Sequence, residues 1–330
     1  MEAAGKGGTF GRFGGRLFMK RLMLPIIWVV VLAGCMRSST VAYQPVYFKA
    51  SETVAFLQAL SADDMAGRKT GSDGYLKAQA LIVSRMEGLQ LMPFDGTYRH
   101  PFEFSPLPAE LSGPGTAVAT GVNLAGFVQG VGERRQTIII GAHYDHLGTV
   151  SGAIYNGADD NASGVAGMLA MAEYFQTHKP YNDFIFVAFD AEEYALDGSK
   201  HFVANTLDPD LNIALNINLD MIARGETTGL WASGVAHNPS LGPMVRTVAA
   251  QAPVRLRLGY DTEAAGDDWT LLSDHGPFFL AGIPHLYLGV EDHADYHQPT
   301  DQFERIDLDW YLRSVDTVIM MGRAADAEFR

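Results

Sequence analysis

Apolar and polar residues follow two periods along this chain, and each period predicts its own kind of element. Apolar side chains that recur every three or four positions predict helices over residues 51–60, 75–86, 163–177, 198–205, 241–250 and 308–321. Short apolar runs bounded by turn residues predict strands over residues 121–129, 137–140, 184–189, 211–219 and 284–288. Residues 101–114 show neither period and predict an irregular segment. Because strands alternate with helices, we expect an α/β fold, with a mixed, mostly parallel central sheet flanked by helices in three layers.

The run from Phe184 to Glu193 is the most informative part of this pattern. Phe184 to Phe189 are consecutive apolar residues, which is typical of a strand buried on both faces. Asp190, Glu192 and Glu193 follow at once, and ligands of open α/β sheets gather at the carboxyl ends of strands. Two adjacent glutamates on a turn can face one site, so that one binds a cation while the other moves a proton. Alternatively, these acids mark a helix N-terminus, where the helix dipole favours them.

Composition and charge narrow the classes of function. The 330 residues are nearly half apolar and carry a formal net charge of −14, which suits a globular enzyme with one α/β core. Residues 1–34 carry a net +4, so the rest of the chain carries −18. No basic stripe interrupts this acidic body, and we therefore expect no nucleic-acid partner. The negative charge can serve either to keep the protein soluble or to attract cations to a site.

The amino-terminal segment resembles the signal of a bacterial lipoprotein. Lys20 and Arg21 precede an apolar run over residues 22–33, which is too short to span a bilayer comfortably and ends in Leu-Ala-Gly-Cys at Cys35. Cys35 is the single cysteine of the chain, so neither an intramolecular disulfide nor a cysteine-based zinc site is expected. The alternatives are a plain membrane anchor or a signal cleaved nearby.

This resemblance implies a division of the chain into three parts. We expect a signal peptide over residues 1–34, a tether over 35–45 and one catalytic domain over 46–330. A lipidated Cys35 would attach the protein to a membrane of the bacterial cell envelope. Met36, rather than an acid, follows that cysteine, which implies the outer membrane where the cell has one, with the protein facing the periplasm or the exterior.

Five strand ends or loop openings carry side chains that can bind metals. Each has an ordinary explanation on its own, since Asp160 can cap a helix, Asp220 can begin a turn and a lone histidine is usually structural. Their convergence on one edge of one sheet is much less easily explained by chance. The candidates are His143, Asp160, Glu193, Asp220 and His297.

The donor types of these candidates indicate the chemistry. Two imidazoles and three carboxylates suit zinc, cobalt or manganese. A carboxylate on a tight turn can offer one oxygen to each of two metals, which together hold a water and polarise a carbonyl. The chain contains neither His-Glu-x-x-His nor Gly-x-Ser-x-Gly, so neither a thermolysin-type zinc site nor a hydrolase nucleophile elbow is expected.

From about Ala50 to Arg330, the chain resembles the dinuclear-zinc aminopeptidases, because all five motifs occur in that family's order. The family includes relatives of bacterial leucyl aminopeptidase, aminopeptidase Y, glutamate carboxypeptidase and glutaminyl cyclase. The resemblance implies a zinc-exopeptidase fold and two zinc ions per chain. It also implies that Asp160 bridges the ions, that Glu193 and His297 complete one site, and that His143 and Asp220 complete the other. Glu192 would be the general base, which takes a proton from the bridging water and passes it to the leaving amine.

The same resemblance assigns further roles. Asp145 would orient the His143 imidazole, and Tyr296 would donate a hydrogen bond to the oxyanion of the tetrahedral intermediate. The peptide between Asp160 and Asn161 would be cis. No large insertion precedes residue 140, so we expect a single, monomeric catalytic domain without a protease-associated domain.

Three other features receive no catalytic role. His146 is expected to be a wall residue of the site, and Asp159 is expected to lie outside the set of metal ligands. The Gly-rich stretch over residues 66–72 contains Arg68 and Lys69 but lacks the residue order of a phosphate-binding P-loop. It is therefore predicted to be a structural loop.

Three functional hypotheses follow from these residues. The first is an aminopeptidase that removes N-terminal residues from peptides. The second is a carboxypeptidase, for which Arg224 would meet the terminal carboxylate of the substrate, or a glutaminyl cyclase with one metal. The third is a non-catalytic binding protein on this fold, which the intact set of ligands and Glu192 disfavour.

Overall fold

The computed structural model describes residues 43–106, 118–262 and 267–330. Within Ala42–Arg330 these residues form one compact unit. The predicted signal, Cys35 and most of the predicted tether lie outside the described residues and stay predictions. Tyr43, near the end of the predicted tether, already contacts the last helix: its backbone N–H donates to Asp309 Oδ1 at 2.7 Å and its hydroxyl donates to Asp316 Oδ2 at 2.6 Å.

One mixed sheet organises the described part of the chain. Its strands lie in the order β1-β3-β7-β4-β8-β11-β9-β10, with β2 paired to β3, while β5 and β6 form a separate hairpin. Parallel pairs join β7, β4, β8 and β11 in the centre and β9 to β10 at one edge. The strand bounds are β1 Met92–Pro93, β2 Arg99–Phe104, β3 Ala119–Val128, β4 Thr137–His143, β5 Gly148–Val150, β6 Ala153–Tyr155, β7 Asp183–Phe189, β8 Ile213–Leu219, β9 Leu230–Ser233, β10 Leu256–Leu258 and β11 His285–Gly289.

Helices cover both faces of this sheet and complete the three layers. Alternate side chains of β7 enter different cores: Phe184 and Phe186 belong to the larger core with helices α1, α2, α3, α5 and α7, whereas Ile185 and Val187 pack with Phe278 of α6. The α/β fold with a mixed sheet is thereby confirmed. The helices are α1 Ala50–Leu60, α2 Asp73–Gly88, α3 Gly164–Thr177, α4 Asp197–His201, α5 Gly242–Ala249, α6 His275–Leu280 and α7 Leu308–Glu328.

One predicted segment was wrong. Residues 99–104, part of which was expected to be irregular, form strand β2, which pairs antiparallel with β3. Its side chains alternate between exposed and buried, with Phe102 and Phe104 facing inward. Pro101 hid this short alternation, although a proline is tolerated in a strand that pairs on one side only.

The Gly-rich loop near Arg68 is structural, as predicted. The Arg68 side chain is completely buried and donates to the carbonyl oxygens of Tyr144 at 2.8 Å, Leu60 at 3.1 Å, Asn156 at 2.5 Å, Gly157 at 3.0 Å and Asp160 at 3.5 Å. One guanidinium thus joins the end of α1 to the two loops that follow β4 and β6. These loops lead to the residues of the site described below.

The longest helix in the described part of the chain is α7, which has 21 residues. None of the helices in this part combines the length and the apolar character needed to cross a bilayer.

Candidate metal centre

Three neighbouring strands bring three of the five predicted donors, His143, Glu193 and Asp220, to one edge of the sheet. Strand β4 ends at His143 and lies between β7 and β8. In the register of these pairs, His143 lies opposite Phe189 of β7, and Gly141 lies opposite Asn218 of β8. The residues that follow β7 and β8, including Glu192, Glu193 and Asp220, therefore extend beyond the same edge. The order of the strands, rather than the order of the chain, assembles the site.

Asp160 lies at the centre of the donor groups and faces two sets of them. Its Oδ1 atom is 3.3 Å from His143 Nε2, and His143 Nε2 is also 3.2 Å from Asp220 Oδ1. Its Oδ2 atom is 3.1 Å from His297 Nε2, which is 3.6 Å from Glu193 Oε2. The structure thus brings together all five predicted metal ligands, with one carboxylate oxygen of Asp160 directed to each set.

The surrounding hydrogen bonds fix these carboxylates. The second oxygen of Asp220 accepts from Ser273 Oγ at 2.7 Å. The backbone N–H of Asp160 donates to Asp301 Oδ2 at 3.0 Å, which holds the turn before α3. The Asp160–Asn161 peptide is cis, as the resemblance implied. Asp159 points away from the centre, with its Oδ2 atom 3.0 Å from His293 Nε2.

Asp145 is placed differently from its expected role. The nearest partner of His143 Nδ1 is the backbone carbonyl oxygen of Asp145, at 3.2 Å, whereas the Asp145 carboxylate is 3.8 Å away. That carboxylate accepts the backbone N–H of Glu192 at 3.1 Å. Asp145 therefore orients His143 through its main chain and holds the turn that carries Glu192 through its side chain.

Burial and crowding shift the protonation of these groups. Burial, together with the Asp220 carboxylate, raises the pKa of Glu192 well above its usual range, against the lowering effect of His143. Burial would raise the pKa of Asp160, but the three surrounding imidazoles outweigh it and hold this pKa well below its usual range. Burial would lower the pKa of His143, yet the nearby carboxylates raise it well above its ordinary value. The site is therefore an acidic cluster that favours the protonated, positively charged form of His143.

These residues fit a pair of metal ions. Two groups of side chains offer donor atoms close enough together to hold one ion each, and Asp160 belongs to both: one group is His143, Asp160 and Asp220, and the other is His146, Asp160 and Glu193. Imidazole and carboxylate are donors that zinc accepts. The Oδ2 atom of Asp160 is buried and forms no hydrogen bond of good geometry with the described residues, although His297 Nε2 is only 3.1 Å away, which is expected of two ligand atoms that face a shared cation.

Several backbone positions at the site lie in the left-handed region, which side chains other than glycine rarely adopt. Ala191, just before Glu192, has φ 55°, Met221, just after Asp220, has φ 59°, and His297 has φ 52°. Each of these turns the chain sharply at the edge of the sheet. The sequence carries no glycine at these positions to signal such turns.

A cavity of about 530 Å³ opens beside the candidate centre. Glu192, Tyr296 and His297 line it together with an aromatic wall, in which Trp269 stacks on Tyr260 at 3.9 Å between ring centroids. Asp267, Asp268, Glu291 and Asp292 add negative charge, and neither lysine nor arginine is among its described lining residues.

Buried histidines lie beneath this aromatic wall. His275 Nε2 is 2.9 Å from the carbonyl oxygen of Trp269, and the rings of His275 and His285 are 5.4 Å apart. Burial, with repulsion from neighbouring imidazoles, lowers the pKa of His275 to about 3 and that of His285 to about 4. Both rings are therefore neutral in the folded protein near neutral pH.

We expect neither ring to titrate between about pH 5 and 8 in the folded protein. Unfolded histidine binds a proton at about pH 6.5, so the stability that the two neutral rings contribute is fully present above that pH. It decreases as the pH falls toward the folded pKa values, by up to about 1.4 kcal/mol per pH unit for each ring. Proton NMR titration of the ring signals, assigned by their loss in His275→Asn and His285→Asn, checks this. A ring that titrates near pH 6.5 would contradict it.

Comparison with known proteins decides the family. The model of Peptidase family M28 matches residues 123–321 of the chain, a range that contains every predicted metal donor. The chain belongs to peptidase family M28. The resemblance noted in the sequence is thereby confirmed.

Individual relatives of this M28 chain agree with that assignment. Aminopeptidase YwaD of Bacillus subtilis (strain 168) is 29% identical over 188 residues, which cover 55% of this chain and 39% of YwaD. BSAP, a zinc aminopeptidase from Bacillus subtilis, has a TM-score of 0.67 at 18% identity, over 87% of this chain and 100% of that one. A Bacteroides thetaiotaomicron glutaminyl cyclase bound to N-acetylhistamine has a TM-score of 0.65 at 17% identity, over 85% and 99%.

These likenesses differ in what they show. At such low identity, the two solved structures show that the M28 chain shares their fold. The chain spans less than half the length of the curated relatives that it matches.

His146 lies closer to the predicted metal donors than the sequence predicted. It was expected to form part of the wall, but its Nδ1 atom lies 2.7 Å from Glu193 Oε1 and 3.7 Å from Asp160 Oδ2. A signal was present, because His146 lies three residues after His143, in the loop that follows β4.

Proposed function

We propose that this M28 peptidase is an aminopeptidase that hydrolyses N-terminal residues from peptides with a pair of zinc ions. The observation that carries the proposal is the arrangement of Asp160, whose two oxygens face separate donor sets, beside a cavity that Glu192 also lines. Such an arrangement suits two cations and a proton acceptor around one reacting carbonyl.

The charge of the cavity favours a substrate with a free amino group. The four acids at the aromatic wall attract an ammonium group, and the described lining residues include no arginine or lysine to meet a carboxylate. Arg224, which a carboxypeptidase would need, is instead 3.0 Å from Asp295 Oδ2. Arg305 approaches the same carboxylate at 3.3 Å. These contacts support an aminopeptidase over a carboxypeptidase.

His143, Asp160, Asp220, Glu193 and His297 would hold the two ions. When bound, zinc polarises the peptide carbonyl and makes water more acidic.

The side chains around the cavity perform the proton transfers. Glu192 accepts a proton from water as the water oxygen bonds to the carbonyl carbon, and returns it to the nitrogen as the C–N bond breaks. The Tyr296 ring stacks on His297 at 4.0 Å, and burial raises the pKa of its hydroxyl, which therefore keeps its proton. Tyr296 can donate that proton in a hydrogen bond to the developing oxyanion.

The decisive test is a panel of aminoacyl anilides, each with a free or an N-acetylated amine, given to the purified full chain. We expect cleavage of the free-amine substrates only, loss of activity after chelation, and recovery when zinc is added back. Zinc content measured in parallel should be two ions per chain.

Other results would lead to a different function. No cleavage by a protein that holds two ions, together with release of C-terminal residues from N-blocked peptides, would favour a carboxypeptidase. Cyclisation of N-terminal glutamine with one bound ion would favour a glutaminyl cyclase. Failure to bind metal would exclude the proposed centre.

We further propose that Cys35 is lipidated and attaches this catalytic unit to the bacterial envelope. The support is the charged, short apolar segment that ends in Leu-Ala-Gly-Cys. Metabolic labelling with a fatty acid, compared between the natural chain and Cys35→Ser, tests it.

A further inference from the structure

His146 makes its polar contacts with the acids of the candidate centre. Its side chain is fully buried, and its Nδ1 atom lies 2.7 Å from Glu193 Oε1 and 3.7 Å from Asp160 Oδ2. Its other ring nitrogen is buried and has no hydrogen-bond partner among the described residues. A residue that only lined the wall would not direct a nitrogen at two predicted metal ligands.

The loop around His146 fixes the position of this ring. Gly157 lies against it so closely that a Cβ atom on Gly157 would be 2.6 Å from His146 Cδ2. Gly157 also has φ 51°, a conformation that glycine adopts without the penalty of a side chain. The His146 ring is 5.8 Å from that of His297, so two imidazoles approach the same pair of carboxylates.

These contacts make the two halves of the centre unequal. With His146, one half contains two imidazoles, Glu193 and one oxygen of Asp160. The other half contains His143, Asp220 and the second oxygen of Asp160. Four protein donors complete the tetrahedral shell of zinc, whereas three leave a position open for water or substrate.

We propose that His146 is an additional metal ligand and that the ion beside Glu193 is held more tightly than the ion beside Asp220. The first ion then serves mainly to fix the site, and the open position belongs to the half formed by His143 and Asp220. This inference rests on the metal centre of the proposed function and adds a ligand and an order of occupancy to it.

A zinc titration of the chelated full chain, in competition with a chromophoric chelator, tests the order of occupancy. The natural chain should bind two ions in two steps. His146→Ala should lower the zinc affinity of the tighter step by about 10-fold to 100-fold or more. Loss of a residue that only contacts a ligand already lowers metal affinity by that range. His100→Ala, which alters a buried histidine of strand β2, should leave both steps unchanged.

A second variant separates a ligand from a positioning residue. His146→Cys is made in a chain that carries Cys35→Ser, so that position 146 holds the single thiol. On addition of cobalt, a direct ligand gives a thiolate-to-cobalt charge-transfer band, which a residue that only orients Glu193 does not give. Cys35→Ser alone should show no such band.

The outcomes distinguish this proposal from the one on which it rests. The charge-transfer band together with loss of the tighter step supports His146 as a ligand. Two unaltered steps in His146→Ala, or full recovery of affinity in His146→Asn without a band in His146→Cys, overturns it and leaves the aminopeptidase proposal intact. No metal binding by the natural chain overturns both.

Discussion

Replacement of Glu192 with glutamine should lower kcat by about 10²-fold to 10⁴-fold on free-amine substrates, the range measured for the loss of a positioned acid–base group. Glutamine keeps the size of the side chain and its place on the turn that Asp145 holds through the Glu192 N–H. It cannot accept a proton from water. Because Glu192 is not among the five predicted metal ligands, the zinc content should remain that of the natural chain.

The measurement is steady-state kinetics with zinc content determined on the same samples. Glu87→Gln, which alters an exposed glutamate on α2, is the matched control and should behave like the natural chain. Unchanged kcat in Glu192→Gln would exclude this residue as the base. Loss of zinc with loss of activity would instead place Glu192 among the ligands.

Replacement of Arg68 with methionine should lower the free energy of unfolding by at least about 3 kcal/mol. The buried guanidinium donates to five carbonyl oxygens, and each buried acceptor left without a donor costs about 1–3 kcal/mol. Methionine fills a similar volume but has no donor. Because Gly157 and Asp160 carry two of these carbonyls, zinc affinity should fall as well.

Chemical denaturation of the chelated protein measures the free energy of unfolding, and a zinc titration measures the zinc affinity. Lys69→Met is the natural control, since Lys69 is the neighbouring basic residue but is exposed. Its stability should remain within about 0.5 kcal/mol of the natural chain, as for most surface substitutions. Equal stability of the two variants would show that the Arg68 hydrogen bonds are replaced by water.

The strands that carry the site were predictable from local pattern. Phe184 to Phe189 form an unbroken apolar run followed by acids, so both the strand and the polar edge could be inferred from adjacent residues. His143 and Asp220 likewise come at or just after the ends of apolar runs. His143 and Asp220 lie close together because the strand order places β4 between β7 and β8. The local pattern does not specify that order, but the resemblance to a family implied that these residues share one site.

Other features depend on side-chain direction, which one sequence does not specify. His146 lies beside His143 in the chain, yet its contact with Glu193 depends on the path of the loop near Gly157. Arg68 was placed in a structural loop, but its burial depends on carbonyl groups from segments up to 92 residues away. The wall formed by Tyr260 and Trp269 has no local motif, because neither residue lies in a helix or a strand.

The left-handed residues at the edge of the sheet indicate a conflict between thermal stability and activity. A residue with a side chain at Ala191, Met221 or His297 accepts a backbone conformation that costs about 1–2 kcal/mol relative to the usual one. Selection for heat resistance alone would favour substitutions that remove these left-handed conformations. The side chains of the neighbouring Glu192 and Asp220 would then no longer point into the site. We therefore expect substitutions that raise the stability without loss of activity to lie in the helices and outer strands.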